Sequence, residues 1–186
     1  MPNSTMFFLQ ADLFELTHLY LKPNVPAHST CGFNRKQTYK MSDKIVPLIS
    51  SGTKGPLGVL HLPRLWQKVS LEAAGKIADG YPGIGAGYDA MVIAGLGLDT
   101  EAVRAHITND KPTYPQFEAW IKAQEGAKLD DSSISELNAS IEGYNHDDDT
   151  RQGILSANGL PDGDPKDAIN LNNLDDWLEF HAAEIA

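Results

Sequence analysis

The chain has a single cysteine, Cys31, among 186 residues. That excludes an internal disulfide framework and suits a reducing compartment, so the cytoplasm is the expected location. No run approaches the roughly 18 uninterrupted apolar residues that read as a membrane span. The stretch that comes nearest, MFFLQADLFELTHLYL, is interrupted by Asp12, Glu15 and His18. With no basic segment before it, it is not expected to be a secretory signal either. Basic charge is scarce, and most scarce toward the C-terminus. The formal net charge is −10, and residues 129–186 carry two basic side chains against fourteen acidic ones. Residues 1–40 hold four basic and two acidic groups, and residues 41–128 hold nine of each. Nucleic-acid binding needs basic surface to displace counterions from phosphates, so that class is excluded. Acidic surface is read as solubility and as repulsion from membranes and polynucleotides.

Several chemical signatures are missing as well. There is no H-E-x-x-H, and Cys31 has no cysteine at zinc-site spacing. The acidic NHDDDTRQG segment resembles a calcium loop only in composition. Counted from Asn145, the sixth residue is Thr150 rather than Gly and the twelfth is Ser156 rather than Glu. No G-x-S-x-G elbow is present, and Cys31 lacks an oriented base. The loop Gly83-Ile84-Gly85-Ala86-Gly87 follows no strand, departs from G-x-G-x-x-G and lacks the Lys-Ser/Thr of a phosphate loop. It is read as a turn between helices that still brings backbone N–H groups near a helix start. No metal and no cofactor is expected.

Alternating β-type runs are also absent, and what remains is helical. Leu62, Leu65, Val69, Ala73 and Ile77 are spaced 3, 4, 4 and 4, which makes one apolar stripe. Pro63 suits a first turn and Gly75 a C-terminal cap or break. Asp89 is expected to cap AMVIAGL, with Gly95 or Gly97 ending it, and Asp99 to open TEAVRAHI. Thr113 with Gln116 forms a capping-box pattern before FEAWIKAQ, and Ser133 with Glu136 repeats it. The aspartates of DDDTRQGILSAN suit a helix N-terminus, and Gly159 lies beyond its end. NNLDDWLEFHAAEIA is expected to be capped by Asn172 or Asn173. The expected fold is therefore all-α: a compact array of six to seven short helices in one domain, residues 41–186. Residues 1–40 end in the turn-rich PNVPAHSTCGFNRKQTYK and are read as a poorly ordered extension, or as sequence upstream of a natural start at Met41. A short amphipathic helix over residues 6–21 is one alternative for them.

The candidate site lies in the stretch GVLHLPRLWQKVSLEAAGKIADGY. With Leu62, Leu65 and Val69 inward, His61, Arg64 and Lys68 share a neighbouring face of the helix. Arg64 adds a rigid fork of donors to the free N–H groups of a helix start, a combination suited to a carboxylate or phosphate. A structural role is equally concrete. Lys68 can pair with Glu72 and Glu72 with Lys76, while Arg64 can bond Asp79, Asp89 or a C-terminal acid.

That stretch, followed by YDAMVIAGLGLDTEAVRAHI, FEAWIK and LDDWLEF, resembles in the same order an uncharacterised bacterial family, domain of unknown function 5069. The likeness runs from about residue 56 to residue 180. Its most specific pieces are L-P-R-x-x-x-K, A-G-K-x-x-x-x-Y and L-D-D-W. The resemblance implies a small soluble helical domain with no established activity. It points to Arg64, Lys68, Gly75, Tyr81 and Asp89, and to Asp175, Asp176 and Trp177. Gln67 stands where the family pattern often has an acidic residue, which weakens any carboxylate–lysine catalytic pair there. The leading expectation is a non-enzymatic cytoplasmic module that binds a small anionic ligand or a protein partner. Arg64 and Lys68 would supply charge, His61 a titratable donor, Tyr81 an aromatic wall, and Asp89 a further contact. One alternative is an enzyme with His61 or Asp79 as acid/base and Arg64 holding an anionic substrate. Another is an interaction protein whose acidic C-terminal third meets a basic partner.

Overall fold

A computed structural model describes residues 43–186. The expected helix over residues 6–21 and the boundary at residue 41 lie outside them. Among the described residues there are seven helices and no strand, so the domain is all-α. In order they are α1 Leu62–Ala73, α2 Tyr88–Gly95, α3 Thr100–Asp110, α4 Tyr114–Lys122, α5 Asp131–Glu142, α6 Asp148–Ala157 and α7 Ala168–Glu184. None of these helices is long and apolar enough to cross a membrane. Three isolated bridges, Ile45 with Ile77, Lys54 with Leu60 and Asn145 with Asp167, tie loops together.

Helix α1 is the hub and packs against α2, α3 and α4, while α2 meets α5 and α6 meets α7. Its stripe of Leu62, Leu65 and Val69 is fully buried with Val92, Leu96, Val103, Phe117, Ile121 and Ile141. The stripe stops there. Ala73 is exposed, and Ile77 lies beyond the helix end. Gly75, at φ +67°, closes α1 through Gly75 N–H to Glu72 O (2.9 Å) and Lys76 N–H to Leu71 O (2.8 Å). That is the paired bonding of a left-handed C-terminal cap, which glycine adopts without a Cβ clash. Two further ties cross the core: Trp66 donates to Pro112 O, and Tyr88 to Ile141 O, both at 3.0 Å.

The caps at Asp99 and Thr113 fall where the sequence puts them. Three others do not. Helix α2 is capped by Gly87, because the Asp89 carboxylate is engaged elsewhere. Helix α5 starts at an Asp130 cap, and Ser133, at the third helical position, donates both its N–H (3.0 Å) and its hydroxyl (2.7 Å) to it. Helix α7 is capped by Asp167, which accepts from Asn170 N–H, so it starts well before Asn172 and Asn173. The longer α7 brings Leu171 into the core and turns Asp176 inward.

Candidate functional site

His61 sits immediately before α1 at φ +65°, a left-handed conformation uncommon for a residue with a side chain. Its N–H donates to Thr53 O (3.1 Å) and its carbonyl accepts from Leu65 N–H (2.9 Å). From this anchored start, His61, Arg64 and Lys68 recur on one face. That face is not solvated: the three are 3%, 6% and 7% exposed. The glycine-rich loop, the start of α2 and α7 contribute the groups that meet it.

Lys68 Nζ donates to Asp89 Oδ2 at 2.5 Å, and His61 Nε2 lies 2.8 Å from Asp89 Oδ1. Gly85 N–H also donates to Asp89 Oδ2, at 2.7 Å. The loop therefore does present N–H groups to anions, but the anions are the protein's own: Gly83 N–H donates to Glu72 in the same way (2.9 Å). The expected ladder of Lys68, Glu72 and Lys76 is replaced, since Glu72 pairs with Arg104. Arg64 grips Asp176 with both terminal nitrogens (2.7 and 2.9 Å) and donates to Pro47 O (2.7 Å) and Ile49 O (2.9 Å). Tyr81 adds its hydroxyl to Asp176 at 2.9 Å.

Charge states follow from these contacts. Burial, helped by the Arg64 and Lys68 cations, drives the His61 pKa below the ordinary 6.5, against the opposing pull of Asp89. His61 is accordingly neutral at pH 7, with Nε2–H assigned as the donor to Asp89, and Nδ1 is buried without a partner. Burial pushes Asp89 up, but the hydrogen bond from His61 and the ammonium of Lys68 outweigh it and hold the carboxyl below its usual range. The Tyr81 hydroxyl is pushed well up by burial and by Asp176, so it stays protonated. Burial and the neighbouring Asp176 charge raise Asp175.

The His61 shift sets a testable pH dependence. Above about pH 6.5 both folded and unfolded states leave His61 neutral. Below it the unfolded chain takes up a proton that the buried ring, facing Arg64, Lys68 and Asp89, resists, so stability is lost as pH falls. Between pH 7.5 and 5.5 the parent should lose about 1.4 kcal/mol more than His61→Gln in urea unfolding. Equal losses would mean that native His61 is protonated.

All five sequence-predicted residues, His61, Arg64, Lys68, Tyr81 and Asp89, line one cavity of about 210 Å³. It is completed by Tyr88, Tyr144, His146, Asn172, Asp175, Asp176 and the loop glycines Gly85 and Gly87. Asp79, paired in the sequence with His61 as an acid/base, is exposed and is not part of this lining; Asp89 is the carboxylate on His61. Arg64 and Lys68 are engaged by carboxylates, so neither stands free as the anion contact expected of it. Trp177, in the most specific closing motif, is 57% exposed and contributes nothing to the lining. His146 and Asn172, joined at 2.8 Å, carried no sign of a site in the sequence: His146 stood only in the acidic segment and Asn172 only as a candidate cap. A larger hollow of about 480 Å³ lies beside Ile45, Leu48 and Phe180, but it is predominantly apolar. Among the described residues no group of three or more His, Cys, Asp or Glu side chains is placed to hold a metal.

No curated protein matches the chain. The family model described as domain of unknown function (DUF5069) matches residues 50–178, a span that includes α1 through most of α7 and all of the cavity lining. On that match the chain belongs to the DUF5069 family.

Proposed function

We propose that this chain is a cytoplasmic binding module whose cavity beside α1 and α7 receives a small polar molecule. One observation carries the reading: the cavity lining includes a buried histidine whose Nδ1 has no partner among the described residues. An orphaned buried acceptor costs about 1–3 kcal/mol, and a ligand that donates to it would remove that cost. The volume is many times the roughly 10–15 Å³ needed for one water, yet below the roughly 300–1,000 Å³ of drug-sized sites. A ligand of few heavy atoms suits it.

The experiment is thermal unfolding of the full chain against small phosphates, carboxylates, polyols and amines. A ligand held only by the native state raises the midpoint as its concentration passes Kd. At least one class should do so, with a smaller rise in Tyr144→Ala, whose ring lines the cavity but is 41% exposed. No shift with any class would defeat the reading and favour a protein partner for the acidic C-terminal third.

A second reading, an acid/base enzyme, is favoured by the His61–Asp89 geometry. A neutral imidazole with Nε2–H held by a carboxylate keeps its other nitrogen as a base. Under this reading the compound that shifts the midpoint is also turned over, and His61→Gln abolishes turnover.

A further inference from the structure

Given that the cavity is a ligand site, the charges around it determine what chemistry the ligand carries. Two cations and three carboxylates line it: Arg64 and Lys68 against Asp89, Asp175 and Asp176. Arg64 and Asp176 are in contact at 2.7 Å, and Lys68 and Asp89 at 2.5 Å. Each pair is close to neutral seen from the cavity. Asp175 is left over: it makes no hydrogen bond or close ion pair among the described residues, and feels His146 and Arg64 only as more distant charges. The same lining holds two aromatic rings, Tyr88 and Tyr144, whose centroids are 5.5 Å apart in an edge-on arrangement. The fourth feature is His61, a lining side chain only 3% exposed whose buried Nδ1 has no partner among the described residues.

We propose that the cavity selects a small primary ammonium ligand, its cation facing Asp175 and the Tyr88–Tyr144 rings and a second donor group meeting His61 Nδ1. A carboxylate together with aromatic faces is the pairing that recognises ammonium groups, through Coulomb attraction and the negative face of the ring. A small anion meets the opposite situation. Both cations already hold carboxylates, and it would have to approach Asp175 without a free counter-charge. The titration behaviour agrees. Burial and the charge of Asp176 push Asp175 up, against the weaker opposing pull of His146 and Arg64. That pull is outweighed, and an ammonium there would stabilise the ionised form of Asp175.

Isothermal titration of the full chain at pH 7 tests this with ethanolamine, inorganic phosphate and myo-inositol as probes. Ethanolamine should bind saturably, and Asp175→Asn should weaken it about tenfold or more, the scale of one charged hydrogen bond. Tyr144→Leu, at the exposed edge of the cavity, should weaken it as well and provides the check should Asp175→Asn fail to fold. Binding of phosphate or inositol without ethanolamine would overturn the ammonium assignment and leave the cavity reading standing. Ethanolamine affinity unchanged in both variants would also overturn it. Binding of none of the three would remove the inference, and failure of the whole thermal panel would remove the cavity reading with it.

Discussion

Arg64→Ala should cost about 3–5 kcal/mol in urea unfolding, the scale for removing one partner of a buried ion pair. A domain of ordinary stability has roughly 5–15 kcal/mol in total, so the variant should be close to unfolding at 37 °C. The size follows from what is left behind. Asp176 is 3% exposed, and without Arg64 its carboxylate keeps only the Tyr81 hydroxyl as a hydrogen-bond partner. The carbonyls of Pro47 and Ile49 lose their Arg64 donor at the same time. Arg64 therefore holds together three distant parts of the chain: α1, residues 47–49 and α7. Lysine cannot substitute, because a single ammonium does not reproduce the two-pronged grip on Asp176. Arg64→Met combined with Asp176→Leu should recover at least half of the loss, since the buried charge is then gone. A single-variant loss below about 1 kcal/mol would mean that the pair behaves as a solvated surface bridge.

The second large effect is an asymmetry around Asp89. Asp89→Asn should also cost about 3–5 kcal/mol, because it leaves the Lys68 ammonium buried with no counter-charge. Lys68→Met should cost clearly less. The remaining carboxylate keeps Gly85 N–H and His61, and His61 can then take up a proton to restore the pair. That uptake is the second readout. With the lowering influence of Lys68 removed, the His61 pKa in Lys68→Met should move up from its depressed native position, visible in an NMR titration of the ring. Asp89→Asn together with Lys68→Met should be more stable than Asp89→Asn alone. If Lys68→Met proved as costly as Asp89→Asn, or left the His61 titration unmoved, the three groups would not form one charge network.

These two networks explain why His61, Arg64 and Lys68 are spaced three and four residues apart in an acidic chain. They are the inward cations and the imidazole donor of a polar core, matched by carboxylates 21, 28 and 112 residues away. The sequence spacing identified the face correctly but not its environment. A helix with one apolar stripe ordinarily leaves its neighbouring face in water. Here α7 and the glycine-rich loop contribute the groups that enclose it. The same loop illustrates how a local signal acquires its meaning from contact. Gly83 and Gly85 present N–H groups as a phosphate loop would, but their acceptors are Glu72 and Asp89.

What the sequence by itself determined is whatever depends on neighbours within a turn or two. The α class, the stripe on α1, the left-handed close at Gly75 and the caps at Asp99 and Thr113 are all local, and all were legible. That His61, Arg64 and Lys68 share one face was legible in their spacing, while Tyr81 and Asp89 entered through motif order without any sign of contact. Only the tertiary structure decided which carboxylate pairs with which cation, because those partners depend on how α1, α2 and α7 pack. The starts of α5 and α7, at Asp130 and Asp167, are local too, an aspartate accepting a free N–H three residues on, although the sequence patterns pointed to Ser133 and to Asn172 or Asn173. Packing also left Asp175 without a hydrogen bond or close ion pair among the described residues while burying Asp176 beside it. Two adjacent aspartates on one helix differ in nothing the sequence records. They differ in which side of α7 faces Arg64.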